Sequence, residues 1–522
     1  MKHLTELNRR NLLKGAAFGG AVVASGMTPA IFSKAQAATP KKGGKLRVGM
    51  GHGSTSDNYD PGVWENAYAQ VFATARNCYL TEVTAEGDLI GEAATEWSVS
   101  GNGLTYEFKL RDGVMFHSGK TLDADDVVAS INYHRGEDSK SAAKPIVEPI
   151  QSIRASGKLS VVMVIKESNA DFPFMLSDYH LPVLPAKDGK IDPKSADGCG
   201  AYQVVSYDPG VSATMIRNPN YWKDNRAHFD EIEMLTIADA SARLNAVISG
   251  EVDVIDRVDL STINMLKRRN NINILSTTGT QHYTFPMDTR IAPYNDNNVR
   301  MALKYAIDRQ EMVDKVLNGY GSVGNDHPIG PSQRFHHKDL EQRSFDADKA
   351  KYYMKQAGLD RLELTLSVAD AAFPGAVDAG VLYSETAAAS GIELTINREP
   401  NDGYWNNIWM KKPFCACYWG GRPTEDWMFS TAYSGDAAWN DSFWSHDRFN
   451  KLLVQARSES NMENRRELYY DMQEIVSNQG GVVVPMFASY VMALSDKIAH
   501  PETVGANWAM DGFRALERWW FA

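Results

Sequence analysis

Cysteine is scarce in this chain: four residues in 522, at positions 78, 199, 415 and 417. So few cannot build a disulfide scaffold, which needs dense cysteine in a short chain. An oxidising compartment would permit a single bridge, but Cys415 and Cys417 would face the same side of a strand and could not bond each other easily. Buried thiols are therefore the expected state of the four. Long apolar runs are missing too, and beyond residue 37 nothing is long and apolar enough to span a bilayer. Positive charge is in deficit, with 54 basic against 65 acidic residues, or 49 against 64 once residues 1–37 are set aside. A body this acidic does not suit nucleic acid or anionic lipid, and no nucleic-acid partner is expected.

Catalytic signatures are also absent. There is no G-x-x-x-x-G-K-[ST], no H-E-x-x-H and no G-x-S-x-G. GYGSVG, from Gly319, satisfies G-x-G-x-x-G but follows a helix-like stretch and opens no helix, so it reads as a loop. His336-His337 lies in FHHKDLEQR, which reads as a solvated loop better than as a metal pair. No nucleophile–base set stands out, so no enzyme activity and no cofactor or metal is expected.

What is present begins with an address. Arg9-Arg10 precedes Leu12-Leu13-Lys14 and a Gly/Ala-rich apolar stretch, and Ala35-Gln36-Ala37 offers a cleavage site. Residues 1–37 thus resemble a twin-arginine signal peptide, which implies export to a periplasm. With no cysteine beside the cleavage site, a lipid anchor is not expected.

The remainder alternates helix and strand patterns, which is the grammar of an α/β protein. KLRVGMG alternates Leu46, Val48 and Met50 as a first strand, and GHGSTSDNYDPG is a loop. LTYEFKLRDGVMF reads as a hairpin turning at Asp112-Gly113. TLDADD, from Thr121, opens a helix with acids in its first turn. SVVMVIKE is a strand, and EIEMLTIAD leads through SARLNAVISG into EVDVID as strand, helix and strand. Asp296 can cap one helix over VRMALKYAIDRQEMVDKVL. LELTLSV and IELTINR are strands flanking a helix-like AVDAGVLYSETAAAS, and RRELYYDMQEIVSNQGG is a helix followed by an extended VVVPMFASYVMALS.

Four ordered blocks carry a family resemblance. They are AATEWSVSGNGLTYEFKLRDGVMFHSGKTLDADDVVASI from Ala93, GCGAYQVVSYDPGVSATMIRNPNYW from Gly198, RLNAVISGEVDV, and PYNDNNVRMALKYAIDRQEMVDKVLNG. Together they resemble the peptide/nickel/opine class of ABC-transporter solute-binding proteins, family 5. The resemblance implies a two-lobed periplasmic-binding-protein fold of the large, cluster C type, with an extra subdomain beside lobe I. It divides the chain into 38–90 (lobe I), 91–190 (extra subdomain), 191–288 (lobe I, ending in a first hinge strand), 289–483 (lobe II) and 484–522 (second hinge strand and return to lobe I). It further implies capture of a small ligand by lobe closure, delivery to membrane permease subunits, and a monomer.

The resemblance also frames one stretch, YWGGRPTEDWMFS, from Tyr418 to Ser430. Peptide-binding relatives place an Asp for the ligand's α-ammonium after the Gly-Trp strand end; here Trp419 holds the Trp position and Arg422 stands where that Asp is expected. A guanidinium presents a planar fork to a carboxylate. The expected ligand is therefore a carboxylate-bearing compound: a short peptide, an amino-acid derivative or an opine-like molecule. Alternatives are a solvated turn at Gly-Gly-Arg-Pro or an ion pair between Arg422 and Asp426, and, for the whole protein, binding of a nickel or other metal chelate or, less well supported, a periplasmic hydrolase. Asp426 could instead hold a cationic group. Trp427 and Trp439 join Trp419 as wall residues, in a region also crowded with Trp405, Trp409 and Trp444. Asn440, Tyr283 on the first hinge strand, and Asn58 and Tyr59 in the loop after the first strand complete the expected contacts. His52 and Ser54 are weaker candidates, and Glu425 is expected as a rim charge.

Overall fold

The computed structural model describes residues 40–401 and 404–522, so the signal-peptide expectation for residues 1–37 lies outside the described residues. One nine-stranded sheet organises the chain. Its order runs Tyr202–Asp208, Ser212–Arg217, Glu231–Thr236, Lys45–Met50, Val254–Ile255, Val482–Ser495, Ile272–Pro286 and Cys417–Trp419, with Gly321–Val323 paired to Val482–Ser495 off that path. Lys45–Met50 lies parallel to both of its neighbours, and the helix Ala240–Ser249 follows Glu231–Thr236 in the manner expected of a strand–helix–strand unit. Leu46, Val48 and Met50 are buried on one face, as their alternation predicts.

The two longest strands, Ile272–Pro286 and Val482–Ser495, pair antiparallel from Ile272↔Ser495 to Pro286↔Val482. At one end Met492 and Leu494 enter a core with Leu46, Val48, Tyr202 and Trp519. At the other, Tyr283, Phe285, Val483 and Met486 enter a second core with Leu303, Leu366, Tyr383 and Phe414. The sheet thus runs through both lobes of the molecule. In the second lobe Leu362–Val368 and Ile392–Arg398 pair in parallel around the helix Ala376–Ala388.

A third core, from Cys78 to Cys199, belongs to a separate four-stranded antiparallel sheet ordered Ala94–Ser100, Thr105–Leu110, Ser160–Ile165 and Ile150–Gly157. The hairpin expected over LTYEFKLRDGVMF is different in the structure. Thr105–Leu110 pairs with the strand before it and with Ser160–Ile165, while Val114 and Phe116 bond to Leu122 and Lys120 in a local turn. The strand has two sheet partners of its own, so the turn at Asp112-Gly113 leads off the sheet. The helix expected from TLDADD is present as Ala124–Tyr133, with Asp123 and Asp126 forming a reciprocal cap.

Two further expectations change. The single helix after Asp296 is two, Asn297–Tyr305 and Arg309–Lys315, because Asp308 caps a second start by accepting from the Glu311 N–H at 2.9 Å. The GYGSVG loop contains the short strand Gly321–Val323, which finds an open edge on Val482–Ser495.

The buried-thiol expectation fails for half the cysteines. Cys78 and Cys199 form a disulfide with Cα atoms 5.4 Å apart, whereas Cys415 and Cys417 are free and buried. Backbone packing brings the pair together. The glycines on either side of Cys199 let its strand lie against the backbone of Arg76 and Asn77, where any Cβ at Gly200 would collide. The Val183 N–H also bonds the Cys78 carbonyl at 2.9 Å. The bridge therefore ties the entry and exit of the subdomain together across 121 residues.

Closing so long a loop should stabilise the fold by roughly 4–5 kcal/mol, an upper figure from chain entropy. Thiol counting in denaturant without reductant should find two reactive thiols in the described chain, and Cys78→Ser should lower the denaturation midpoint. Four reactive thiols would show that the bridge does not form.

Candidate functional site

The strand Cys417–Trp419 pairs with the first long strand through His282↔Trp419, Tyr283↔Tyr418 and Thr284↔Cys417. Alternation buries Cys417 and Trp419 and turns Tyr418 outward, 40% exposed. Gly420 and Gly421 then swing the chain towards the helix Glu425–Ala432, capped by Thr424 through the Trp427 N–H. A side chain at Gly421 would overlap the Thr280 hydroxyl on the long strand, so glycine is required there. Arg422 is held by this close approach.

The Arg422 guanidinium is largely buried, and burial lowers its pKa from the ordinary arginine value; Tyr179 and Asp178 act in the opposite direction. Its Nη1 donates to the carbonyls of Gly420 and Gly421, both at 3.2 Å, and the group sits 5.8 Å from the Trp427 ring. Among the described residues its Nε and Nη2 find no acceptor, and no carboxylate forms an ion pair with it. It faces a cavity of about 940 Å³.

That cavity is walled by indoles and phenols. Trp405 stands edge-on to Trp409 and Tyr418, and Trp419 packs near Trp409 and Trp439. Asp441 sets this wall: its Oδ2 accepts from the Trp409 indole at 3.1 Å, with Cys417 and Trp419 as further donors. Burial pushes the Asp441 carboxyl up to about 6. The facing wall comes from other parts of the chain. Trp64 donates its indole N–H to the Asn58 carbonyl at 2.9 Å, and Glu65 is exposed beside it. Tyr179 lies edge-on to Trp508 at 5.7 Å. Asp178 accepts from the His180 backbone at 2.9 Å and from His180 Nδ1 at 2.8 Å. All of these residues line the same space as Arg422.

The expected contacts divide. Arg422, Trp419, Trp427 and Trp439 line the cavity, as do Trp405 and Trp409. The others lie off it. Asp426 is buried and bound to Arg457 Nε at 3.1 Å, so it neither pairs with Arg422 nor reaches the cavity. Its helix turns it towards the neighbouring helix Asp447–Ser458, which carries that arginine. Glu425, expected at the rim, is 1% exposed and accepts from the Phe335 N–H. Asn440 ties its own turn by donating to the carbonyls of Ser434 and Trp444. Tyr283 is stacked on Phe373 at 4.1 Å within the core. Asn58 contributes only its carbonyl, to Trp64, and Tyr59 packs on Phe72, Tyr207 and the Arg76 guanidinium. Trp444 is core beside Phe449. His52 is pushed down to about 4 by burial, and Ser54 bonds Ser56 and Asp57. His336 bonds the Ile329 carbonyl and His337 stacks on Tyr470. Among the described residues no His/Cys/Asp/Glu group is arranged to hold a metal.

Sequence reasoning missed the facing wall. Asp178-Tyr179-His180 interrupts the apolar FPFMLSDYHLPVLP, and a charged pair inside such a stretch was a readable signal. Trp64, Trp508 and Asp441 carried none, since their roles come from contacts across the fold.

Comparison with known proteins now has a site to refer to. Residues 88–441 match the family described as bacterial extracellular solute-binding proteins, family 5. Heme-binding protein A of Haemophilus influenzae is 24% identical over 75% of this chain and 78% of its own. Among solved structures, the periplasmic binding protein DppA of Helicobacter pylori, in complex with the peptide STSA, superposes with a TM-score of 0.75 at 21% identity, over 92% of this chain and 98% of that one. AgaA of A. tumefaciens R10, in complex with agropinic acid, gives 0.74 at 20% identity over 92% and 99%. These likenesses establish the two-lobed fold.

The raised Asp441 pKa makes a test of the indole wall. Its folded-state value near 6 lies above the usual aspartate value of about 3.9, so the folded form holds the proton more tightly and stability falls as pH rises between those values. The loss over that window is roughly 3 kcal/mol in scale. Asp441→Asn should remove this part of the slope, read as a smaller difference in Tm between pH 4 and pH 7 than in the wild type. An unchanged difference would mean that Asp441 titrates normally.

Proposed function

The chain belongs to the bacterial extracellular solute-binding proteins, family 5, and on that premise we propose that it captures a small carboxylate-bearing ligand for an ABC importer. The observation that carries this reading is Arg422, a desolvated guanidinium with free donors facing a cavity of ligand size. A buried cation without a counter-anion is costly, and a ligand carboxylate offsets that cost by two charge-assisted bonds. The carboxylate is the shared chemistry of short peptides, amino-acid derivatives and opine-like compounds.

In this reading residues 38–288 and 484–522 form lobe I with 91–190 as its subdomain, and residues 289–483 form lobe II. The two cavity walls then come from opposite lobes: Trp64 and Asp178–His180 from one, Arg422 and the indoles from the other. Ligand binding stabilises the closed form by contacting both walls at once. A closing contact already present is the buried pair between Asp171 and Arg465, with bonds of 2.8 and 2.6 Å. The closed, loaded protein is the species delivered to the permease subunits, and no reaction is catalysed. Residues 1–37 act as a twin-arginine signal, so the protein works as a soluble periplasmic monomer without a lipid anchor. Among the described residues no helix is long and apolar enough to cross a membrane.

The test is a thermal-shift panel of di- and tripeptides, amino-acid-derived carboxylates, opines and a nickel chelate against wild type and Arg422→Ala. A ligand at 100-fold excess over its Kd should stabilise the wild type by about 2.7 kcal/mol. The same ligand should lose most of that shift against the variant. Equal shifts in both proteins would make Arg422 a structural turn residue, and a response to the nickel chelate alone would favour the metal-chelate reading.

A further inference from the structure

Resting on that reading, we infer that the ligand is an aryl carboxylate, an anion with a flat body of at least two rings, rather than a zwitterionic peptide. Two observations point there. The first is the imbalance of charge. Arg422 has free donors, but the cavity offers no desolvated acceptor for an ammonium. Asp426, in the helix that follows Arg422, is spent on Arg457. Asp178 is 3% exposed at its side chain and engaged twice by His180. Glu65 is exposed and solvated. A peptide's α-ammonium would lose its water and gain no fixed partner, which burial penalises.

The second observation is the shape of the apolar surface. Trp405 and Tyr418 stand edge-on to each other on the wall with Arg422, and Tyr179 stands edge-on to Trp508 on the facing wall. Rigid rings in such mutual orientations leave faces and edges for another ring, with the geometry aromatic pairs favour. Asp441 fixes Trp409 through its indole N–H, so this part of the wall is built before any ligand arrives. A cavity of about 940 Å³ is at the upper end of the range that holds drug-sized molecules. One ring would leave most of it empty.

The experiment is isothermal titration of the full mature protein with four probes: biphenyl-4-carboxylate, its neutral carboxamide, the saturated 4-cyclohexylcyclohexanecarboxylate, and the dipeptide Phe-Phe. The aryl carboxylate should bind tightest. The carboxamide should bind roughly 10- to 100-fold more weakly, the loss expected from a charged hydrogen bond, and the saturated acid several-fold more weakly for want of ring contacts. Arg422→Ala should bring the carboxylate down to the affinity of the amide, and Trp427→Leu should narrow the gap between aryl and saturated acids. The comparison among probes uses the wild type alone, so a variant that fails to fold does not remove the test. Equal binding of the saturated acid, or tighter binding of Phe-Phe, overturns the inference while leaving the carboxylate reading intact. If none of the aryl, saturated or peptide carboxylates binds, both fall.

Discussion

The antiparallel ladder between Ile272–Pro286 and Val482–Ser495 is the constraint on which the rest of the structure hangs. It places one pair of strands in two cores, so neither lobe completes its sheet without it. Its outer edge also receives Cys417–Trp419, which makes the site a continuation of the hinge and not an appendage to it. The close approach of Gly421 to Thr280 belongs to the same arrangement. Movement of the strand pair therefore carries Arg422 with it, and ligand contact there is mechanically linked to closure.

Elsewhere the fold neutralises its buried charges. Asp171 takes both terminal nitrogens of Arg465, Asp326 joins Arg309 and Arg343, and Lys223, Arg514 and Arg518 share Glu82, Glu92 and Glu517. Arg76 and Arg300 have no carboxylate within ion-pair reach among the described residues, yet each satisfies both terminal nitrogens with oxygen acceptors. Arg422 does so with one. Against that background its open donors mark a place where the chain leaves a partner to be supplied.

The pattern of the chain made most elements legible, because alternation and helical spacing are local properties. The strands LELTLSV and IELTINR, the helix between them and the extended return after Gly480 all appear at their expected places. Errors arose where two local signals competed. Asp296 and Asp308 are both good caps, and the second one splits the helix. Asp112-Gly113 is good turn chemistry, but the strand before it already had two neighbours.

For the site, sequence by itself determined the cation and its aromatic company: Arg422 beside Trp419 and Trp427 is a short-range pattern, and its departure from the expected Asp is readable in one dimension. Only the tertiary structure decided which acids were available to it. Asp426 is four residues away along the chain but faces another helix, while Asp178, 244 positions distant, faces the same cavity. The same holds for Cys78 and Cys199, joined by glycine-mediated backbone packing across 121 residues. Helical spacing and strand alternation act over a few residues, whereas burial and pairing depend on which distant surfaces the fold brings together.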